Sequence, residues 1–173
     1  MPKRKSVRLA GYDYSQNGYY YVTLCVSERK NLLCSLVGSD ALVAPSPLGQ
    51  KVIACWNNIS LLNENIEIDK FILMPNHIHG IIVIKNADAE IAKQEKMFDF
   101  EITERRGRRS LQGLLKDFKS VTTRQYKKMY GVDSSLWQSS FYDEIIRNQE
   151  QYEKIWQYIE TNPSKWKEDI LYC

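Results

Sequence analysis

Histidine is almost missing from this chain: its 173 residues hold two, His77 and His79. Any imidazole chemistry has to run through that pair. The four cysteines, Cys25, Cys34, Cys55 and Cys173, form no Cys-x-x-Cys unit, so they give no thiolate metal motif and no disulfide framework. Cys25 and Cys55 read as core fillers. No apolar run is long enough to span a membrane, and the basic residues 1–8 lack the apolar stretch of a signal peptide. These absences predict a cytoplasmic protein with reduced thiols and no membrane partner. Internal repeats and a domain linker are absent too, and the length suits one core. We therefore expect a single domain over 1–173.

Net charge is small, +3 with a pI near 8.6, and by itself excludes little. Its distribution says more. Arg105, Arg106, Arg108, Arg109, Lys116, Lys119, Arg124, Lys127 and Lys128 crowd into one stretch. Two readings stand for such a cluster, a solvated face or a groove that binds phosphates.

The two histidines sit one residue apart in Met-Pro-Asn-His-Ile-His-Gly-Ile-Ile-Val-Ile. Side chains alternate along a strand, so His77 and His79 point to the same face. Two imidazoles so placed are able to chelate one divalent ion. The plain alternative is two solvent-facing histidines on a half-exposed strand. The apolar flanks Ile78, Ile81, Ile82, Val83 and Ile84 favour a buried strand.

Patterning gives the elements. Residues 18–27 are aromatic and β-branched and read as a strand. Residues 33–46 read as a loop or short hairpin. Ser46-Pro47 opens a helix over 47–62, with Val52, Ile53, Trp56 and Ile59 at helical spacing. Strands follow over 66–74 and 77–85, joined antiparallel by a turn at Pro75-Asn76. Residues 86–108 are polar and unpatterned and predict a mobile insertion. Ser110 caps a helix to residue 130, residues 141–147 form a strand, and a last helix runs from about Asn148 to Asn162-Pro163. The order β-α-β-β-α-β-α predicts an α+β, ferredoxin-like split β-α-β fold: an antiparallel sheet, helices on one face, and an added C-terminal helix. The histidines would look out from the other face.

On the last helix Tyr152, Ile155, Trp156 and Ile159 form the apolar stripe. Gln151, Lys154, Tyr158 and Asn162 make a second face, polar with one aromatic. Tyr158 and Asn162 are neighbours at i, i+4. If that face meets the histidines, His77, His79 and Asn162 surround one metal ion with Tyr158 beside it. Mixed nitrogen and oxygen ligands with open positions suit Mg²⁺ or Mn²⁺ bound also to a phosphate. A tyrosyl oxygen there is a candidate nucleophile, with Lys154 adding to the field. An amphipathic surface tyrosine is the plainer reading of the helix alone.

Pro-Asn-His-Ile-His-Gly resembles the His-hydrophobic-His (HUH) motif of single-tyrosine transposases. The run Leu136-Trp-Gln-Ser-Ser-Phe-Tyr-Asp-Glu-Ile-Ile-Arg-Asn148, followed by Tyr158-Ile-Glu-Thr-Asn-Pro163, closely resembles the REP-associated subgroup, as do Tyr12-Asp-Tyr14 and Gly18-Tyr-Tyr-Tyr-Val-Thr23. The resemblance runs from about residue 8 to 167. It implies a catalytic helix that carries the nucleophile Tyr158, with His77, His79 and Asn162 as metal ligands. It implies Mg²⁺- or Mn²⁺-dependent cleavage and rejoining of single-stranded or hairpin DNA through a 5′-phosphotyrosine. Insertion-sequence relatives often have Gln where this chain has Asn162. Many relatives have His where this chain has Glu144, and a long C-terminal tail has no counterpart here. Lys116, Lys119, Arg124, Lys127, Lys128, Lys154 and Arg147 are the DNA-binding candidates, and Tyr12, Tyr14 and Trp137 are stacking platforms or core. A catalytically inactive protein of the same fold that binds a single-stranded DNA or RNA hairpin is the alternative. A structural metal site without nucleic acid leaves the Tyr158–Asn162 pairing without a use. A monomer is expected over a helix-swapped homodimer, because residues 148–163 follow directly from the fourth strand and can fold back in cis.

Overall fold

The structure is a computed structural model that describes residues 11–37, 42–85 and 110–172. The expected insertion at 86–108 and the arginines at 105–109 lie outside these residues. Four strands form one antiparallel sheet: β1 (Gly18–Cys25), β4 (Ile66–Leu73), β5 (His77–Ile84) and β6 (Tyr142–Ile146), in the order β4-β5-β1-β6. β2 (Cys34–Val37) and β3 (Leu42–Pro45) pair as a separate hairpin, so the segment at 33–46 takes the hairpin form of its two expected forms. Among the described residues the α-helices are α1 (Pro47–Leu61), α2 (Leu111–Tyr130) and α3 (Gln149–Thr161). Two β-α-β units, β1-α1-β4 and β5-α2-β6, interleave, and this strand order is that of the split β-α-β fold expected from sequence.

Local chemistry sets the helix starts. Ser46 Oγ accepts from Gly49 N–H, Ser110 Oγ from Gly113 N–H, and Asn148 Oδ1 from Gln151 N–H, each satisfying an amide the helix leaves unpaired. Gly131 ends α2 with φ 64°, a left-handed cap that glycine adopts without strain.

β5 is buried on both faces, which is why it carries histidine and aliphatic residues without a polar face. Tyr20, Val22, Leu24, Ile78, Ile82 and Ile84 pack against Trp56 of α1 and Leu114 and Phe118 of α2. On the opposite face Tyr21, Ile81 and Ile146 pack on Ile159 of α3. Gly80 belongs to the first face: a Cβ there would lie 2.4 Å from Trp56 Cζ2. The histidine face is thus covered by α3 in cis, and the alternative of solvent-facing histidines is corrected.

Two turns depart from the expected elements. β1 stops at Cys25 and not at residue 27, because Ser27–Arg29 form a 3-10 turn with Glu28 and Arg29 at φ 57° and 54°. A second 3-10 segment, Pro163–Glu168, follows α3 and carries the chain back across the sheet. No helix among the described residues is long and apolar enough to cross a membrane.

Candidate functional site

Strand alternation brings His77 and His79 together as expected. Their Nε2 atoms lie 2.9 Å apart, and the rings are 0% and 2% exposed. Each ring is held from its other nitrogen. Asn76 Oδ1 lies 2.8 Å from His77 Nδ1. The Tyr21 hydroxyl and Thr23 Oγ1 both lie 2.8 Å from His79 Nδ1. Asn76 is tied down in turn, its Nδ2 donating to the carbonyls of Arg29 and Leu171.

α3 brings Tyr158 and Asn162 to the same place. The Tyr158 ring meets the His79 ring edge-on at 5.3 Å between centroids. Asn162, 3% exposed, caps the helix, and its Oδ1 is buried with no hydrogen-bond partner. Its Nδ2 donates to Asp169 Oδ2 over 2.8 Å. The Tyr158 hydroxyl donates to the same oxygen over 3.3 Å.

Asp169 is the main residue the sequence reading missed. Ligand atoms of His77, His79 and Asp169 all lie within 4.8 Å of one another. The expected ligands were neutral; the cluster also contains a carboxylate. Asp169 stands just beyond the last expected helix, and its position depends on the unforeseen 3-10 turn. The Trp166 ring of that turn lies tilted against His77, 5.7 Å between centroids. Arg29, which no pattern singled out, adds its charge to the burial that lowers the His77 pKa.

Burial dominates the electrostatics. It holds His77 down to about 3, with Arg29 adding to the effect, and lowers His79 well below the usual imidazole value. Both rings are neutral at pH 7, the form that offers lone pairs to a metal. Burial pushes the Tyr158 phenol up to about 12, with the Asp169 charge second and the Asn162 amide opposing. Without a cation nearby this phenol holds its proton firmly.

The residues fit a divalent ion. Two neutral imidazoles and a carboxylate bring ligand atoms within 4.8 Å of one another. The amide of Asn162 bonds that carboxylate, and its own buried oxygen without a partner is costly unless something binds it. A hollow of about 570 Å³ beside them is lined by Lys154, Tyr158, Asn162 and Asp169, among others. Lys154 lines it while paired with Glu150.

The other basic candidates lie elsewhere. α2 packs on the sheet face opposite the histidines. Lys116, Lys119, Arg124 and Lys127 line one shallow groove on it with Ser120, Thr123 and Ser135. Lys119 donates to the carbonyls of Gln138 and Ser139, and Lys127 pairs with Asp133. Lys128 is on the last turn of α2 outside that groove. The groove borders the segment whose Gln138 N–H bonds to Cys25 O, and Cys25 is the register partner of His77. Arg147 follows the far end of β6 and lines a small recess with Tyr142, Glu144 and Gln151. Glu144 accepts from Tyr142 and Gln151 there. Tyr14 and Trp137 are core: both are buried, and Trp137 Nε1 donates to Thr122 Oγ1.

No family model matches the chain. A Haemophilus influenzae protein of uncharacterised function is 29% identical over 170 residues, covering 98% of this chain and 93% of its own length. A REP-associated tyrosine transposase solved bound to a REP hairpin is 19% identical, and the match covers 92% of this chain and 73% of that one, at a TM-score of 0.55. A Deinococcus radiodurans protein is more distant, at 16% identity, 89% and 95% coverage and a TM-score of 0.48. The chain therefore has the fold of a REP-associated tyrosine transposase.

Proposed function

We propose that the protein cleaves and rejoins single-stranded or hairpin DNA, with Tyr158 as nucleophile and His77, His79 and Asn162 as ligands of a Mg²⁺ or Mn²⁺ ion. One observation carries the reading: the Tyr158 ring meets the His79 ring, and one helical turn on, Asn162, its Oδ1 buried without a partner, bonds through its Nδ2 to Asp169, whose carboxylate lies within 4.8 Å of both imidazoles. A bound ion supplies a Lewis acid that offsets charge on the scissile phosphate and eases ionisation of the phenol. The Tyr158 hydroxyl gives up its proton to Asp169 Oδ2, 3.3 Å away. Its oxygen then attacks phosphorus in line, the bond to the 3′ oxygen breaks, and that oxygen takes a proton from water and departs as a 3′-hydroxyl. The 5′-phosphate stays on the tyrosine, so attack by a second 3′-hydroxyl reverses the step without an energy source. Lys154 and the basic groove on α2 hold the phosphate backbone. α3 packs in cis, which favours a complete site in one monomer.

A catalytically inactive hairpin-binding protein is the second reading. The closed arrangement favours it: both imidazoles are buried and bonded to each other, and Tyr158 is bonded to Asp169. One assay separates the two. A labelled hairpin with single-stranded flanks is incubated with the protein in Mn²⁺ and in EDTA. Mn²⁺-dependent release of a 3′-hydroxyl fragment, lost in His77→Ala, supports the enzyme. Salt-sensitive binding without release supports the binding protein.

A further inference from the structure

The metal-site reading leaves one matter open: which ring nitrogens carry protons. Asn76 Nδ2 donates to two carbonyls, at 3.2 Å to Arg29 and 2.9 Å to Leu171. That fixes the amide orientation, so the Asn76 oxygen faces His77 Nδ1 at 2.8 Å. An amide oxygen only accepts, so His77 carries its proton on Nδ1 and its Nε2 is bare. The 2.9 Å contact between the two Nε2 atoms then requires a proton on His79 Nε2. His79 Nδ1 is bare and accepts a hydroxyl proton.

That tautomer cannot bind metal through His79 Nε2. Both Nε2 atoms become ligands only if the His79 proton passes from Nε2 to Nδ1, the ring staying neutral throughout. Nδ1–H then needs an acceptor, since an unpaired buried donor is costly. Two hydroxyls face it, and they are not equivalent. Thr23 Oγ1 donates to the Tyr21 hydroxyl oxygen over 3.1 Å and keeps a lone pair toward Nδ1 at 2.8 Å. The Tyr21 hydroxyl, also 2.8 Å from Nδ1, has its proton available for the bare nitrogen.

We infer that Thr23 and Tyr21 divide the two tautomers of His79 between them: Tyr21 donates to Nδ1 in the metal-free form, and Thr23 accepts from Nδ1–H when Nε2 ligates. Thr23 is thus a positioning residue for metal binding. The inference rests on the metal-site reading above. It explains why β1 places two hydroxyls beside a ring whose pairing needs only one at a time. Groups that orient a metal-bound histidine typically change affinity by about 10- to 100-fold when removed.

The test is Mn²⁺ binding to the full chain by calorimetry, together with ¹⁵N shifts of the histidine rings in metal-free protein. Thr23→Val should weaken Mn²⁺ binding about 10- to 100-fold, and Thr23→Ser should restore it. Tyr21→Phe should not weaken it, because the phenol serves only the metal-free form. Metal-free wild type should show the His79 proton on Nε2 and the His77 proton on Nδ1. A Thr23→Val protein that binds Mn²⁺ like wild type, or a metal-free His79 protonated on Nδ1, overturns the inference and leaves the metal site standing. Should Thr23→Val not fold, wild-type shifts and Tyr21→Phe still decide it. Wild type that takes up no Mn²⁺ refutes the site and this inference together.

Discussion

At the scale of single residues, the site depends on one oxygen and one missing bond. The Tyr158 side chain is 43% exposed, and its hydroxyl makes a long bond to Asp169. Removing that hydroxyl should therefore cost little stability, under about 1 kcal/mol. Tyr158→Phe is expected to abolish strand cleavage while hairpin affinity and melting temperature stay near wild type. Cleavage that survives in Tyr158→Phe would point to a water nucleophile and a hydrolytic nuclease. Each pair was legible in the sequence, His77 with His79 through alternation in a strand and Tyr158 with Asn162 through i, i+4 in a helix, whereas the meeting of the two pairs stood in the sequence only as a condition and as what the resemblance implied. Asp169 and Trp166 were not. They follow Pro163, where no repeat governs side-chain direction, and reach the site through a 3-10 turn. Asn76, Tyr21 and Thr23 stood within the quoted motifs, yet only the three-dimensional register shows that they touch the rings.

At the scale of elements, helices and strands were legible nearly to their ends, because Ser46, Ser110, Asn148 and Pro163 mark boundaries by chemistry rather than by hydropathy. Burial of β5 on both faces was less legible, since α3 covers the histidine face from the far end of the chain. Gly80 marks the close approach of β5 and α1. Gly80→Ala drives a methyl into the fully buried Trp56 ring, so it should cost about 1–3 kcal/mol by overpacking, read as a lower urea midpoint. An unchanged midpoint would mean that Trp56 moves aside freely. The basic groove of α2 makes a separate prediction. If Lys116 and Arg124 contact phosphates, replacing both with Gln should flatten the log–log salt dependence of single-strand binding by roughly 1.4, about 0.7 per contact. Binding should weaken for all sequences alike, because phosphate contacts position without specifying. An unchanged slope returns this groove to a solvated helix face.

At the scale of the whole molecule, two neutral histidines sit at the centre of the fold, and folding is thereby coupled to pH. The folded His77 pKa is held near 3, while an unfolded histidine titrates near 6.5; His79 is shifted in the same direction. Between those values the unfolded chain binds more protons than the folded one. Their contribution is complete above about pH 6.5 and is lost as pH falls toward 3, at up to about 1.4 kcal/mol per pH unit for each ring. Urea unfolding in EDTA should show stability falling from pH 7 to pH 5, and His77→Gln should reduce that slope by up to half. An equal slope in the variant would mean that His77 is already solvated and protonated in the folded protein. The same buried pair, beside a tyrosine on a helix packed in cis, is what makes covalent chemistry on Tyr158 the central claim. The most direct measurement is to incubate the protein with a hairpin DNA in Mn²⁺, quench, digest with trypsin and map any nucleotide-bearing peptide by mass spectrometry. The account predicts a 5′-phosphonucleotide on the peptide spanning residues 155–165, attached at Tyr158, absent in EDTA and in Tyr158→Phe. Cleaved DNA with no adduct, or an adduct on another tyrosine, would contradict it.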